Sequence, residues 1–166
     1  MSNVRLEKEL YPPMCDWLRA KLEEKYQNKK CNVIVEDVST IFLDRALTRH
    51  GIINHYPQVV GLGIQIDVLG IVKYSNRASL FFIEAKKTPL NLHDLGQLWA
   101  YCKLCEPDEA ILLSSAGLGS LNKVLNNLGR LDLLEFGEGK VIKNMQVAKW
   151  DIERNMIDHN TLVPKV

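Results

Sequence analysis

The amino-acid sequence predicts an α/β fold, a mixed β-sheet flanked by helices. Three observations predict it. Short apolar or alternating runs recur at 31–38, 64–72, 79–87 and 109–115, each of strand length. Longer stretches with helical spacing of apolar residues, 6–24 and 91–106, are interleaved with them. A turn-like segment, KYSNRA, joins two of the strands directly, so at least one pair is a hairpin.

Taken in order, 6–24 reads as a helix because Leu6, Leu10, Met14, Trp17 and Leu18 fall on one side of a helical wheel. Pro12 and Pro13 are awkward inside a helix, so it kinks there or starts near Leu10. CNVIVEDV, 31–38, alternates as a strand does. TIFLDRALTRHG, 40–51, is helical, with Gly51 as its stop. HYPQVVGLG, 55–63, is irregular. IQIDVLGIV, 64–72, and SLFFIEAKK, 79–87, are the two arms of the hairpin. The helix over 91–106 has Asn91 as N-cap, with Asp94 three residues later in a variant of the capping box. EAILLSS, 109–115, is a short buried strand. A helix over 119–129 would place Leu121, Val124, Leu125 and Leu128 on one face and end at Gly129. A weaker hairpin, 131–150, and a polar tail complete the chain.

With 166 residues, 46% of them hydrophobic, the chain 1–166 is expected to form one globular domain with a real core. A net charge of +1 gives no global field toward nucleic acid or membrane, so any polyanion must be met by a local patch. The opening MSNVRLEKEL lacks an apolar signal region, and no apolar run reaches the ~20 residues of a membrane span. Cys15, Cys31, Cys102 and Cys105 follow no secreted framework. A reduced, cytoplasmic setting is expected, with no membrane partner.

The stretch LFFIEAKKTP, 80–89, carries charge into what reads as a buried strand. Leu80, Phe82, Glu84 and Lys86 share one face, with the Cβ atoms of Glu84 and Lys86 roughly 7 Å apart. Centring the hairpin turn between Ser75 and Asn76 sets Asp67 directly opposite Glu84. Cross-strand partners have Cβ atoms about 4.5–5.5 Å apart, and two carboxylates that close repel unless a cation or a proton lies between them. Two oxygen donors from adjacent strands suit a hard divalent ion such as Mg2+, which keeps several waters and takes substrate phosphate as a further ligand. Lys86 would hold or activate the attacking water, or stabilise charge on phosphorus. The alternative is a structural Asp–Lys–Glu network.

Asp67 followed by IEAK, 83–86, resembles the D…(D/E)-x-K signature of the PD-(D/E)XK nuclease superfamily. The αβββαβ order is similar to that family's restriction-endonuclease-like core. EKELYPPMCDWL, 7–18, looks like the opening helix of many members, and QLWAY, 97–101, resembles the Q-x-x-x-Y motif of the RecB-like branch. Ile66 stands where the family name has proline. The resemblance covers roughly residues 5 to 115. It implies that Asp67 and Glu84 ligate Mg2+, or Mn2+ as a substitute, joined by the Ala85 carbonyl. It also implies that Lys86 serves the nucleophilic water, and that Gln97 and Tyr101 lie beside the site. A first-helix glutamate would support the metal or its water. Glu7 sits near the centre of the Leu10–Met14–Trp17 face, and Glu9 points away, so Glu7 is the expected residue.

CKLC, 102–105, has zinc-like spacing but lies in a helix without a second pair, and the family's iron–sulfur pattern is not matched. Arg45, Arg49, His50 and His55 either touch phosphates or form a solvated face, and His93 and Asp94 are assigned to the helix start. Lys86, Lys87, Arg45 and Arg49 are the expected cations toward DNA. The expected function is thus Mg2+-dependent hydrolysis of DNA phosphodiester bonds. A nucleic-acid-binding module with the fold but no turnover is the first rival. A glycosidase using Asp67 and Glu84 is the second; the adjacent lysine and the lack of an aromatic sugar platform argue against it. At this size a homodimer or partner subunit would supply selectivity.

Overall fold

The structure, a computed structural model, describes residues 4–165; residues 1–3 and 166 of the expected domain lie outside them. A 3-10 turn, Glu7–Leu10, leads into α1 (Tyr11–Lys25), with the two prolines in its first turn, where their missing N–H groups leave no helix bond unmade. There follow β1 (Asn32–Asp37), α2 (Leu43–Arg49), β2 (Val68–Lys73), β3 (Ala78–Lys86), α3 (Leu92–Cys105) and β4 (Glu109–Ser114). The chain ends with β5 (Gln146–Asp151) and β6 (Met156–Val163). The six strands form one mixed sheet in sequence order. β1–β2, β2–β3 and β5–β6 are antiparallel, and β3–β4 and β4–β5 are parallel.

Each face of the sheet has its own core. Alternation along β3 sends Phe81, Ile83 and Ala85 toward α1, where they pack with Leu10, Met14, Leu18 and Leu22. Leu80 and Phe82 point the other way, into a layer built by Leu43 and Leu47 of α2 and Leu95, Leu98 and Cys102 of α3. Each fully buried leucine contributes about 1.5–3 kcal/mol. α1 passes close over Gly70 of β2. A Cβ there would lie 2.9 Å from Leu22 and 3.0 Å from Leu18, so the glycine is what lets the helix settle.

Four expectations are corrected. β2 begins at Val68, not at residue 64, because the preceding segment bonds elsewhere: the Ile64 carbonyl accepts the Leu43 N–H at 2.7 Å, and the Asp67 carbonyl accepts that of Val38 at 3.0 Å. The segment 119–129 is not a regular α-helix. It holds a π-helical turn, Lys123–Asn127, with Leu128 N–H bonded to the Lys123 carbonyl, and Leu128 is exposed while Leu121 and Leu125 are buried. The hairpin expected at 131–150 is instead β5–β6, preceded by a 3-10 turn, Leu131–Leu134. The polar tail is strand β6, whose mixed composition suits an edge position, and no charged residue in it is buried.

Candidate active site

The β2–β3 hairpin turns at Ser75–Asn76, with Tyr74 N–H bonded to the Arg77 carbonyl at 2.8 Å. The register that this turn imposes pairs Val68 with Ile83 and Leu69 with Phe82. Asp67, one residue before β2, therefore comes to lie opposite Glu84. Each carboxylate accepts one backbone N–H from the facing segment. Asp67 N–H donates to Glu84 Oε1 at 3.2 Å, and Asp67 Oδ2 accepts the Ala85 N–H at 2.8 Å. The second oxygens, Oδ1 of Asp67 and Oε2 of Glu84, accept no backbone N–H among the described residues.

Glu84 is the sole charged residue in the buried class among the described residues, at 7% exposure. Burial, followed by the Asp67 charge, pushes its carboxyl up to about 8, against the opposing pull of Lys86. Burial raises Asp67 as well, offset by the Ala85 N–H and by the Tyr11 hydroxyl that faces it. Without a cation, Glu84 thus keeps its proton at neutral pH beside Asp67. Tyr11 itself is buried, and burial together with the Asp67 and Glu7 charges raises its phenol, keeping it an O–H donor.

Lys86 lies one step along the same face of β3, its side chain 23% exposed. Its ammonium stands 4.0 Å from Oδ1 of Asp94, in the first turn of α3. Glu7 and Glu9 diverge on the 3-10 turn that precedes α1. Glu7 Oε2 accepts the Lys87 N–H at 3.4 Å, and the charge of Glu7 raises both site carboxyls. Glu9 folds back on the Arg5 and Leu6 N–H groups, at 3.1 and 3.4 Å.

The outlying residues divide. Gln97 and Tyr101 meet each other, Gln97 Nε2 donating to the Tyr101 hydroxyl at 3.4 Å, and no hydrogen bond joins either to Asp67, Glu84 or Lys86. The Lys87 ammonium is bound to the Arg5 carbonyl at 2.9 Å. Arg49 is paired with Glu36 at 2.7 Å, a carboxylate it shares with His50, whereas the Arg45 side chain is exposed. Cys102 and Cys105 are both fully buried core residues, with burial pushing the Cys105 thiol up to about 12. Two residues that sequence reasoning passed over stand at the site: Tyr11 facing Asp67, and Asp94 facing Lys86. The capping-box spacing located Asp94 on the helix, but no local signal reported that α3 would dock against the end of β3.

Among the described residues, no three His, Cys, Asp or Glu side chains are gathered into a group that could hold a metal ion. The donor set is two carboxylates, with Glu7 set back from them. That excludes a closed protein cage of the kind structural zinc uses. It fits an ion of the Mg2+ type, which is held by one or two carboxylates and completes its shell with water and substrate phosphate. Fold and site together define an α/β protein with a cluster of two carboxylates and one lysine, buried Glu84 and half-buried Asp67 and Lys86, at the carboxyl end of β3. Comparison of the chain with protein-family models, with curated proteins and with solved structures gives no match. No helix among the described residues is long and apolar enough to cross a membrane.

Proposed function

We propose that the chain is a Mg2+-dependent deoxyribonuclease of the PD-(D/E)XK kind, its αβββαβ core carried by α1, β1, β2, β3, α3 and β4 with α2 inserted. The observation that carries the reading is the pair of backbone bonds that seats the two carboxylates side by side, Asp67 N–H on Glu84 and Ala85 N–H on Asp67, with Lys86 on the same face of β3. A sheet gains nothing in stability from placing two carboxylates there, since each is taken out of water beside a like charge.

Asp67 and Glu84 would hold the ion, with the Ala85 carbonyl as a further oxygen on the same strand. When bound, Mg2+ or Mn2+ supplies a Lewis acid for the charge that develops on the transferred phosphoryl group. The backbone N–H groups of residues 67 and 85 fix one oxygen of each carboxylate, so the remaining oxygens stay in register across the hairpin. Lys86 presents a compact positive charge to the phosphate or to the attacking water. Glu7 and Tyr11 adjust the carboxylate pair from the α1 side. Gln97 and Tyr101 line the outer part of α3. Lys87, next to Lys86, and Arg45 are exposed cations that would meet phosphate, and a second subunit or partner would supply selectivity for DNA structure.

The test is digestion of duplex and single-stranded DNA with Mg2+, Mn2+ or chelator. Wild type should cut only with the metals. Asp67→Ala, Glu84→Ala and Lys86→Ala should each lose on the order of 10³-fold in rate, and the two carboxylate variants should melt no lower than wild type in chelator. Metal-independent cutting, or full activity in any of the three variants, would overturn the reading.

A further inference from the structure

Lys86 is surrounded by carboxylates on two sides. On its own strand face stand Asp67 and Glu84, both of which its charge pulls toward ionisation. Opposite them stands Asp94, which reaches it from α3. Left to the first pair alone, the ammonium would fold onto the two carboxylates and cancel the charge that a divalent cation needs.

Asp94 is built to prevent this. Its two oxygens have separate tasks. Oδ2 accepts the Asn91 N–H at 3.2 Å, and the Asp94 N–H donates to Asn91 Oδ1 at 3.0 Å, a reciprocal capping box that fixes the side chain on the first turn of α3. Oδ1 is left facing Lys86 at 4.0 Å, and the Asp94 side chain is only 12% exposed. At that separation the contact is an ion pair and not a hydrogen bond. It therefore holds the ammonium in place while leaving its three N–H donors for phosphate or water. A helix cap alone requires neither a burial this deep nor a cation at the second oxygen.

We infer that Asp94 is the positioning residue of the proposed nuclease centre, holding the Lys86 ammonium off the Asp67–Glu84 pair and aimed at the substrate phosphate. The inference rests on the nuclease reading for its catalytic consequence, while the positioning itself is measurable without turnover.

The experiment compares Asp94→Asn, which keeps an oxygen to accept the Asn91 N–H but removes the charge, with Asn91→Ala, which weakens the cap and keeps the charge. Three quantities are read: melting temperature, the NMR signals of the Lys86 ε-methylene protons, and kcat and KM for DNA cleavage in Mg2+. In wild type the two ε-protons should be inequivalent, as in an immobilised side chain. In Asp94→Asn they should merge, and kcat should fall roughly 10- to 100-fold with KM little changed, the scale of lost outer-shell support. Asn91→Ala should lower the melting temperature more than Asp94→Asn and lower kcat less. In a Lys86→Ala background, Asp94→Asn should produce no further loss of rate, because a residue that acts through Lys86 has nothing left to act on. Equivalent ε-protons in wild type, additive losses in the double variant, or rate losses that track melting temperature would each overturn it. If wild type cuts no DNA the nuclease reading fails, and the NMR comparison still decides whether Asp94 holds Lys86.

Discussion

Two antiparallel hairpins belong to the same sheet and treat charge in opposite ways. In β5–β6 the register slips between Val147 and Lys149, and Lys149 and His159 are exposed. Its one buried polar atom without a hydrogen-bond partner among the described residues is the neutral indole N–H of Trp150. In β2–β3 the register is unbroken, both faces are covered, and the open end holds Asp67 and the buried Glu84 with a backbone N–H on each. An edge hairpin can let charge point to solvent. An interior hairpin cannot, so a carboxylate kept there with its bonds arranged stands apart from the sheet's structural needs.

Stability separates the two hairpins most strongly. Trp150 is fully buried and meets Trp17 edge-on at 6.1 Å between ring centroids, so Trp150→Ala should cost about 3–5 kcal/mol. Glu84→Gln should do the reverse. The folded-state value of Glu84, about 8, lies above its ordinary 4.5. Between those values the folded protein keeps a proton that the unfolded chain has released. Stability therefore falls as pH rises through this window, by at most about 1.4 kcal/mol per pH unit, and the loss is complete above the upper value. In chelator, Glu84→Gln should melt above wild type at pH 8 and close to it at pH 5. Thermal melts across that range check both variants. A Glu84→Gln protein that melts well below wild type at every pH would make the two hairpins alike, with Glu84 a structural residue.

A smaller effect sharpens the contrast at the surface. In Lys86→Ala protein with Ca2+, duplex binding should show a shallow slope of log K against log salt, reflecting roughly two to four phosphates at about −0.9 each. Arg45→Ala should remove about one such contact. Arg49→Ala should remove less, because its guanidinium is already paired with Glu36. A titration series at several salt concentrations measures all three, and a slope on the order of −8 would mean a basic surface outside this account.

Much of the site could be read from local chemistry alone. The polar pair Ser75–Asn76 sets the turn, the turn sets the register, and the register brings Asp67 to Glu84. The wheel that set Glu7 apart from Glu9 assumed an α-helix, whereas the turn that carries them is 3-10. What escaped was decided by docking between distant segments. Residues 64–67 alternate like a strand, yet their carbonyls serve α2 and the end of β1. Residues 156–163 read as polar because an edge strand has one wet side. Asp94 read as a cap, which it is, and only the placement of α3 against β3 reveals its second oxygen facing Lys86.

The most direct test of the centre itself is a calorimetric titration of Mn2+ at pH 7, repeated in two buffers of different ionisation enthalpy. With Glu84 raised to about 8, the metal-free pair holds a proton that an incoming ion must displace. Binding to one site with release of about one proton, and loss of both in Glu84→Gln, is the predicted result. Absence of binding, or binding that survives Glu84→Gln with no proton released, would contradict the assignment of Asp67 and Glu84 as a metal-dependent catalytic pair.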